Sequence, residues 1–352
     1  MNLLRNNDKS IEAIERVCQA IEDVRQGKMV VMVDDEDREN EGDLVYAASF
    51  STPEKVNFMA SHAKGLICVA LSKKIASRLE LTPMVKNNDS SYETAFTISV
   101  DAKDAETGIS AIERDMTIKI LSDNNSEAAE LVRPGHIFPL IAKEGGALVR
   151  TGHTEGSVDL CKLAGLGEAS VICEVMKEDG TMARRPDLDI FCEKHELNIV
   201  YISDIVEYRM MNESLINLEK ESTQVFFGAQ AKKYDFRDHL DNNHIVYTFG
   251  EFSNRAAVKF HSIIPDNELL ASREKYDEMM NSIKYLQENA GILVFMDSNT
   301  KNMTQIREYG IGAQLLKYLG IEEIELLSNS KTIELVGISG FGLSVTKLIN
   351  LK

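Results

Sequence analysis

The sequence predicts two α/β domains, the first of α+β type built on a mixed sheet. Three observations lead there. Short apolar runs alternate with amphipathic helical stretches along the whole chain, as strands interleaved with helices do. The length of 352 residues is enough for two separate cores. All five cysteines (Cys18, Cys68, Cys161, Cys173 and Cys192) fall in the first two-thirds of the chain, so its two parts differ in character. Domain limits are expected at 1–211 and 215–352.

Taken in order, Ser10 reads as an N-cap, with Ile11, Ile14, Val17, Cys18, Ile21 and Val24 on one helical face and Gly27 ending the helix. The apolar runs Met29 to Val33 and Leu44 to Ala48 read as strands. Ser51-Thr52-Pro53-Glu54 has the cap, first-turn proline and early acid of a helix that should run to Ala63. A buried strand is predicted over Leu66 to Ala70, a helix from Ser72, a polar turn over Asn87 to Ser91 and a strand from Ala95 to Val100. A helix is predicted from Ser110 to Leu121, a sharp turn at Arg133 to His136, and a strand at Ala147 to Val149 after Gly145-Gly146. Arg150 to Thr154 then leads into a helix holding Val158, Leu160, Cys161 and Leu163. A strand at Val171 to Val175, a helix from Pro186, a strand at Ile199 to Ile202 and a helix from Asp204 to Met211 complete the first domain.

The second part carries strand-like runs at Ile245 to Tyr247, Ala256 to Phe260, Gly291 to Phe295 and Ile324 to Leu327. Helices are predicted from Tyr276 to Asn289 and from Tyr309, with a turn-rich finish at Gly337 to Gly342. The net charge of −17 argues against nucleic acid or an anionic membrane as partner, though not against a small anionic substrate in a local basic pocket. The first seven residues lack the apolar core of a signal peptide, and no apolar run reaches membrane-spanning length. The cysteines form no C-x-x-C pair, so buried free thiols in a cytoplasmic protein are expected.

The chemistry centres on Asp34-Asp35-Glu36-Asp37-Arg38-Glu39-Asn40-Glu41-Gly42-Asp43, between two strands. Carboxylates this dense repel one another unless a cation, a basic ligand or water separates them. A solvated acidic hairpin is the plain alternative; an EF-hand fits poorly, because the glycine is misplaced and the flanks are strands. His136 and His153 both sit in glycine-containing turns. At Arg150-Thr151-Gly152-His153-Thr154 a helix begins, and its free N–H groups make a phosphate site. Glu174 is a lone acid on an apolar strand, which points inward or to solvent. Together these residues indicate proton transfer on a phosphorylated, oxygen-rich small molecule.

Over residues 10 to 210 the chain resembles 3,4-dihydroxy-2-butanone 4-phosphate synthase, a riboflavin-pathway enzyme. The markers are the acidic stretch, Arg133-Pro134-Gly135-His136-Ile137-Phe138-Pro139-Leu140, Arg150 to Thr154, and Asp179-Gly180-Thr181-Met182-Ala183-Arg184. The resemblance implies D-ribulose 5-phosphate as substrate, passed through an enediol, dehydration and carbon migration to lose one carbon as formate. It implies that Glu39 and His153 ligate a pair of Mg²⁺ ions and that His136 and Glu174 are essential for catalysis. Arg38, Glu39, Asp43, Arg150, Thr151, Gly152, His153, Thr154 and Glu174 would hold the substrate, at a homodimer interface. Imidazole is an unusual ligand for Mg²⁺, so Mn²⁺ is a candidate too.

The second part resembles GTP cyclohydrolase II at Arg307-Glu308-Tyr309-Gly310-Ile311-Gly312-Ala313-Gln314-Leu315-Leu316 and Leu326-Leu327-Ser328-Asn329. That family binds zinc through three cysteines around Val258 to Arg273, and this chain has none after Cys192. The family's Glu-Gly-Arg-Gly-Ile-Gly segment is absent, with Met296-Asp297-Ser298-Asn299 near its place, and Gln305 stands where the family has an acid. His261, Asp266, Glu268 and Glu274 are the nearby replacement ligands, without recognisable spacing. The expectation is a kept fold, no zinc and no GTP hydrolysis. A non-catalytic metal- or nucleotide-binding protein descended from the fusion is the competing reading.

Overall fold

The computed structural model describes residues 2–35, 38–90, 92, 94–297, 305–328 and 343–351. It separates into two compact units, one over residues 11–208 and the other over 1–10 with 209–352.

In the first unit, seven strands form one mixed sheet. They are β1 (Val30–Val33), β2 (Gly42–Ala47), β3 (Cys68–Ser72), β4 (Val100–Ala102), β5 (Leu131–Ala142), β6 (Ala169–Glu174) and β7 (Ile199–Tyr201), in the order β4-β5-β3-β6-β2-β1-β7. β3 runs parallel to β5 and β1 to β7; the other neighbours are antiparallel. Among the described residues the α-helices that accompany them are α1 (Asn2–Arg25), whose residues 2–10 fall in the other unit, α2 (Pro53–Phe58), α3 (Lys73–Arg78), α4 (Ala111–Ser122), α5 (His153–Leu163), α6 (Arg185–His195) and α7 (Ile202–Asn212), whose residues 209–212 do likewise. Thr52, Ser72 and Ser110 cap α2, α3 and α4 by accepting the N–H three residues on.

Strand alternation divides the side chains between two faces. Val31, Val33, Leu44, Tyr46, Val69, Leu71, Val171 and Cys173 pack on Val56, Met59, Ile118 and Leu121 from the α2 and α4 side. The alternate residues face α5, where Ala70 and Ala142 meet Val158, and Gly156 approaches the Met32 sulfur. Asp43 and Glu174 share the parity of this second face.

Several sequence expectations need correction. α1 begins at Asn2, so Ser10 lies inside the helix, and the buried stripe is Ala13, Val17, Ala20, Ile21 and Val24. Ile11 and Cys18 are exposed, so not every apolar residue of the pattern joins the buried stripe. The strand expected at 66–70 lies at Cys68–Ser72. Ala95 to Ser99 makes only isolated bridges: Thr97 N–H donates to Pro139 O, but neither Pro139 nor Pro83 has an N–H to return. Arg133 to His136 is not a chain reversal. It is a bulge within β5, between Val132 and Ile137, with a cis Arg133–Pro134 peptide. Its N–H groups go to side chains, Gly135 to Ser99 Oγ and His136 to Asp101 Oδ1. Ala147 to Val149 is no strand either. A 3₁₀ turn spans Gly146–Leu148, closed by Val149 N–H on Gly146 O and pinned by Ala147 N–H on Asp159 Oδ2 at 2.7 Å.

The second unit holds β8 (Ile216–Phe226), β9 (Ala229–Asp238), β10 (Asn243–Thr248), β11 (Arg255–Ser262), α8 (Asp266–Ala271), α9 (Arg273–Glu288), β12 (Gly291–Met296), α10 (Gln305–Tyr318), β13 (Glu323–Leu327) and β14 (Ser344–Ile349). The sheet order is β14-β13-β11-β12-β10-β9-β8, parallel as far as β12 and antiparallel beyond. Met279, Ile283 and Leu286 of α9 pack on Tyr247, Phe249, Ala257 and Leu293. Sequence reading missed the β8–β9 hairpin: β8 is a largely exposed edge strand with no apolar alternation. Ser298, Asn299, Asn329 and Gly337 to Gly342 lie outside the described residues, as do the side chains of Gln305, Arg307 and Tyr309.

Candidate active site

The acidic loop leaves β1 and returns as β2, folded around the carboxylate of Asp34. Asp34 Oδ1 accepts Glu41 N–H at 2.9 Å and Oδ2 accepts Glu39 N–H at 3.1 Å. From outside, Arg184 Nη1 donates to the carbonyls of Glu39, at 2.7 Å, and Asn40. Glu36 and Asp37 lie outside the described residues. The side chains so aimed converge: ligand atoms of Asp34, Glu39 and His153 all lie within 4.8 Å of one another. Sequence reading named Glu39 and His153 for metal; Asp34 was in the stretch but not singled out, since composition cannot tell which acid of a run turns inward.

His153 is the first residue of α5, and it is 6% exposed. Its Nδ1 stands 3.8 Å from Glu39 Oε2, and its Nε2 stands 3.8 Å from Asp43 Oδ1. Both distances exceed hydrogen-bond length, and His153 Nε2 and Asp43 Oδ1 are buried without a hydrogen-bond partner. Burial pushes the Asp43 carboxyl up to about 7 against the pull of His153. Burial works to lower His153, but Asp43, Glu39 and Asp34 outweigh it and raise the imidazole to about 9. Burial would also raise Glu39, yet His153 and Arg38 together hold it below its usual range.

Glu174 ends β6 directly opposite Asp43 at the start of β2, on the same face. Its Oε2 accepts Leu66 N–H at 2.8 Å. Gly65 permits this approach, since a Cβ there would lie 2.4 Å from Glu174 O and 2.5 Å from Oε2.

Arg38 and Arg150 are both engaged. Arg38 pairs with Asp34 at 2.7 Å and Glu39 at 2.9 Å, and Arg150 pairs with Glu155 at 2.5 Å. Tyr92 ties the two together, a role with no signal in the sequence. Its hydroxyl donates to Arg38 O at 2.7 Å, its ring lies 5.0 Å from the Arg38 guanidinium, and its carbonyl accepts from Arg150 Nη2 at 3.0 Å. Thr151, Gly152 and Thr154 lie at the start of α5 beside His153. His136 lies on β5, with β3 between it and the β6 strand of Glu174. At one strand spacing each, that is roughly 10 Å. Its ring is paired with Asp101, which sequence reading did not flag.

Two carboxylates and an imidazole with ligand atoms this close, together with the unpaired buried atoms His153 Nε2 and Asp43 Oδ1, fit a divalent cation. In the second unit Asp266 and Glu268 lie on α8 and Glu274 on α9, while His261 stacks edge-on against Phe295.

The family model of 3,4-dihydroxy-2-butanone 4-phosphate synthase matches residues 18–208, and that of GTP cyclohydrolase II matches residues 297–350. The 3,4-dihydroxy-2-butanone 4-phosphate synthase of Sulfurospirillum multivorans is 74% identical over 351 residues, covering 100% of this chain and 99% of its own. The crystal structure of RibBX, a two-domain 3,4-dihydroxy-2-butanone 4-phosphate synthase from A. baumannii, superposes with a TM-score of 0.78 at 36% identity, covering 96% of this chain and 99% of that one. A 3,4-dihydroxy-2-butanone 4-phosphate synthase in complex with two magnesium ions gives a TM-score of 0.54 at 35% identity, over 56% of this chain and 97% of its own. This chain belongs to the 3,4-dihydroxy-2-butanone 4-phosphate synthase family.

Proposed function

We propose that residues 1–211 form a synthase domain that converts D-ribulose 5-phosphate to 3,4-dihydroxy-2-butanone 4-phosphate and formate with a divalent metal. The observation that carries this reading is the convergence of Asp34, Glu39 and His153 beside Asp43, whose buried Oδ1 has no hydrogen-bond partner, in a chain 74% identical to a synthase. Glu39 and His153, with Asp34, would hold Mg²⁺ or Mn²⁺, two ions per site. The cation, when bound, offsets negative charge on adjacent substrate oxygens as a proton leaves carbon. Arg150 to Thr154 offer N–H groups at a helix start for the phosphate, and Arg38 adds a cation. Glu174, held by Leu66 N–H, keeps its other oxygen for proton transfer, and His136 serves as the second acid–base group. A homodimer with the sites at its interface, as the family resemblance implies, belongs to the same reading.

A net charge of −17 suits neither nucleic acid nor an anionic membrane, and no described helix is long and apolar enough to cross a membrane. Five free cysteines suit the cytoplasm. Residues 215–352 are read as a GTP cyclohydrolase II-like domain without zinc chemistry, since no thiolate follows Cys192.

The test is formate release by the purified full chain from ribulose 5-phosphate and, separately, from GTP, with Mg²⁺, Mn²⁺ or a chelator. Metal-dependent release from ribulose 5-phosphate alone is expected. None from ribulose 5-phosphate overturns the synthase reading; release from GTP together with stoichiometric zinc overturns the reading of the second domain.

A further inference from the structure

His136 is half-exposed at its ring, while its partner Asp101 is 7% exposed. Asp101 Oδ2 lies 2.7 Å from His136 Nδ1, and Asp101 Oδ1 accepts the backbone N–H of the same histidine at 2.8 Å. One carboxylate thus grips both the ring and the main chain of one residue. An ionised carboxylate only accepts, so the proton of the neutral ring sits on Nδ1 and Nε2 presents a lone pair.

Gly108 closes over this pair. Its φ is +80°, and a Cβ there would lie 2.0 Å from Asp101 Oδ2 and 2.8 Å from His136 Nδ1, so no other residue fits without displacing the contact. The turn carrying Gly108 is anchored on Glu113. That carboxylate accepts the N–H groups of Glu106 at 2.7 Å and Thr107 at 3.0 Å, and the hydroxyls of Thr107 at 3.0 Å and Ser110 at 2.9 Å. The carboxyl of Glu113 is accordingly drawn down to about 2 by these donors, the Thr107 N–H first. The bulge in β5 completes the arrangement, because it frees the His136 N–H from the sheet ladder for Asp101.

We propose that Asp101 is the positioning residue of His136: it fixes the tautomer with Nδ1 protonated and aims Nε2 at the substrate. The proposal rests on the reading of His136 as an acid–base group. A proton taken up at Nε2 converts the ring to imidazolium, whose charge Asp101 offsets; its return to the substrate restores the neutral ring.

The test uses the full-length chain with Mg²⁺ and ribulose 5-phosphate. Asp101→Asn offers an amide donor to Nδ1 and so favours the other tautomer. Formate turnover should fall roughly 10²- to 10³-fold, with KM within about threefold of the parent. ¹⁵N resonances of His136 should show Nδ1 protonated in the parent and Nε2 protonated in the variant. The double variant Asp101→Asn with His136→Gln should be no slower than His136→Gln alone. A parent ring protonated at Nε2 overturns the proposal whether or not the variant folds. So does Asp101→Asn turnover within threefold of the parent while His136→Gln is inactive. A fully active His136→Gln removes the underlying role of His136 itself, which is a different failure.

Discussion

Each unit buries an acid beside an imidazole, and the two pairs are bonded in opposite ways. In the second unit Asp238, at the turn between β9 and β10, has both oxygens fully used. Oδ1 accepts Leu240 N–H at 2.8 Å and Asn242 N–H at 2.9 Å, and Oδ2 lies 3.0 Å from Asn242 Nδ2 and 3.1 Å from His244 Nε2. His244 accepts Asp297 N–H at Nδ1, so its Nε2 carries the proton given to Asp238. In the first unit Asp43 and His153 face each other at 3.8 Å with buried atoms unpaired. A polar atom buried without a partner costs on the order of 1–3 kcal/mol. A satisfied group is part of the scaffold, whereas a chain that keeps an unsatisfied one holds a place for something else. Burial and residue type are alike in the two; hydrogen-bond accounting tells them apart.

Activity separates the two pairs most sharply. Glu39→Gln should reduce metal-dependent formate release by at least roughly 10³-fold while moving stability by no more than about 1 kcal/mol. Near-normal turnover at limiting metal, in this variant or in His153→Ala, would remove the metal role. Glu174→Gln keeps the shape and the Leu66 N–H contact but removes the base, so turnover should drop about 10²-fold. Release within tenfold of the parent would mean that Glu174 only supports the fold.

The converse substitution lies in the other unit. Asp238→Ala strips partners from Leu240, Asn242 and His244, and should cost about 3 kcal/mol in the unfolding of that unit. Formate release should stay at the parental rate. Urea unfolding and the formate assay on one preparation check both halves of this expectation, and an unchanged midpoint would show that the network is not structural.

The sequence made three caps, the strand–loop–strand around the acidic stretch and the helix start at His153 legible, because each follows from local chemistry; the cap read at Ser10 failed, since α1 starts at Asn2. Thr52, Ser72 and Ser110 cap as their types demand. What stayed hidden depends on distant partners. Asp101 becomes notable only because the β5 bulge brings His136 to it, and Tyr92 only because Arg38 and Arg150 both reach it. The false strand at Ala147 to Val149 arose because an apolar triplet carries no sign of the Asp159 carboxylate that turns it. The family resemblance read from the motifs agrees with the family model over residues 18–208.

The smallest expected effect is an opposite response of the two units to pH in metal-free protein. Burial would raise Asp238, but His244, Asn242 and Leu240 prevail and lower it to about 2. An unfolded aspartate titrates at ~3.9, so this group stabilises the fold above about pH 4 and the gain is lost as pH falls toward 2, roughly 2–3 kcal/mol in all. Asp43 is raised by burial to about 7, so the folded state binds its proton more tightly than the unfolded one. Its penalty is full above pH 7 and fades as pH falls toward 4. His153, raised to about 9, stabilises fully below its unfolded value of ~6.5 and loses that gain as pH rises through 9. Both shifts in the first unit run the same way, so it should be more stable at pH 6 than at pH 9. The Asp238 contribution to the second unit should be flat over that range and weaken only near pH 3. Added Mg²⁺ should narrow the first unit's difference, because the cation compensates the carboxylates at high pH where protons no longer do. Calorimetric scans at pH 3, 6 and 9, with and without Mg²⁺, resolve this; a first unit more stable at pH 9 than at pH 6 without metal would mean that the buried Asp43–His153 pair does not carry its unfavourable charge.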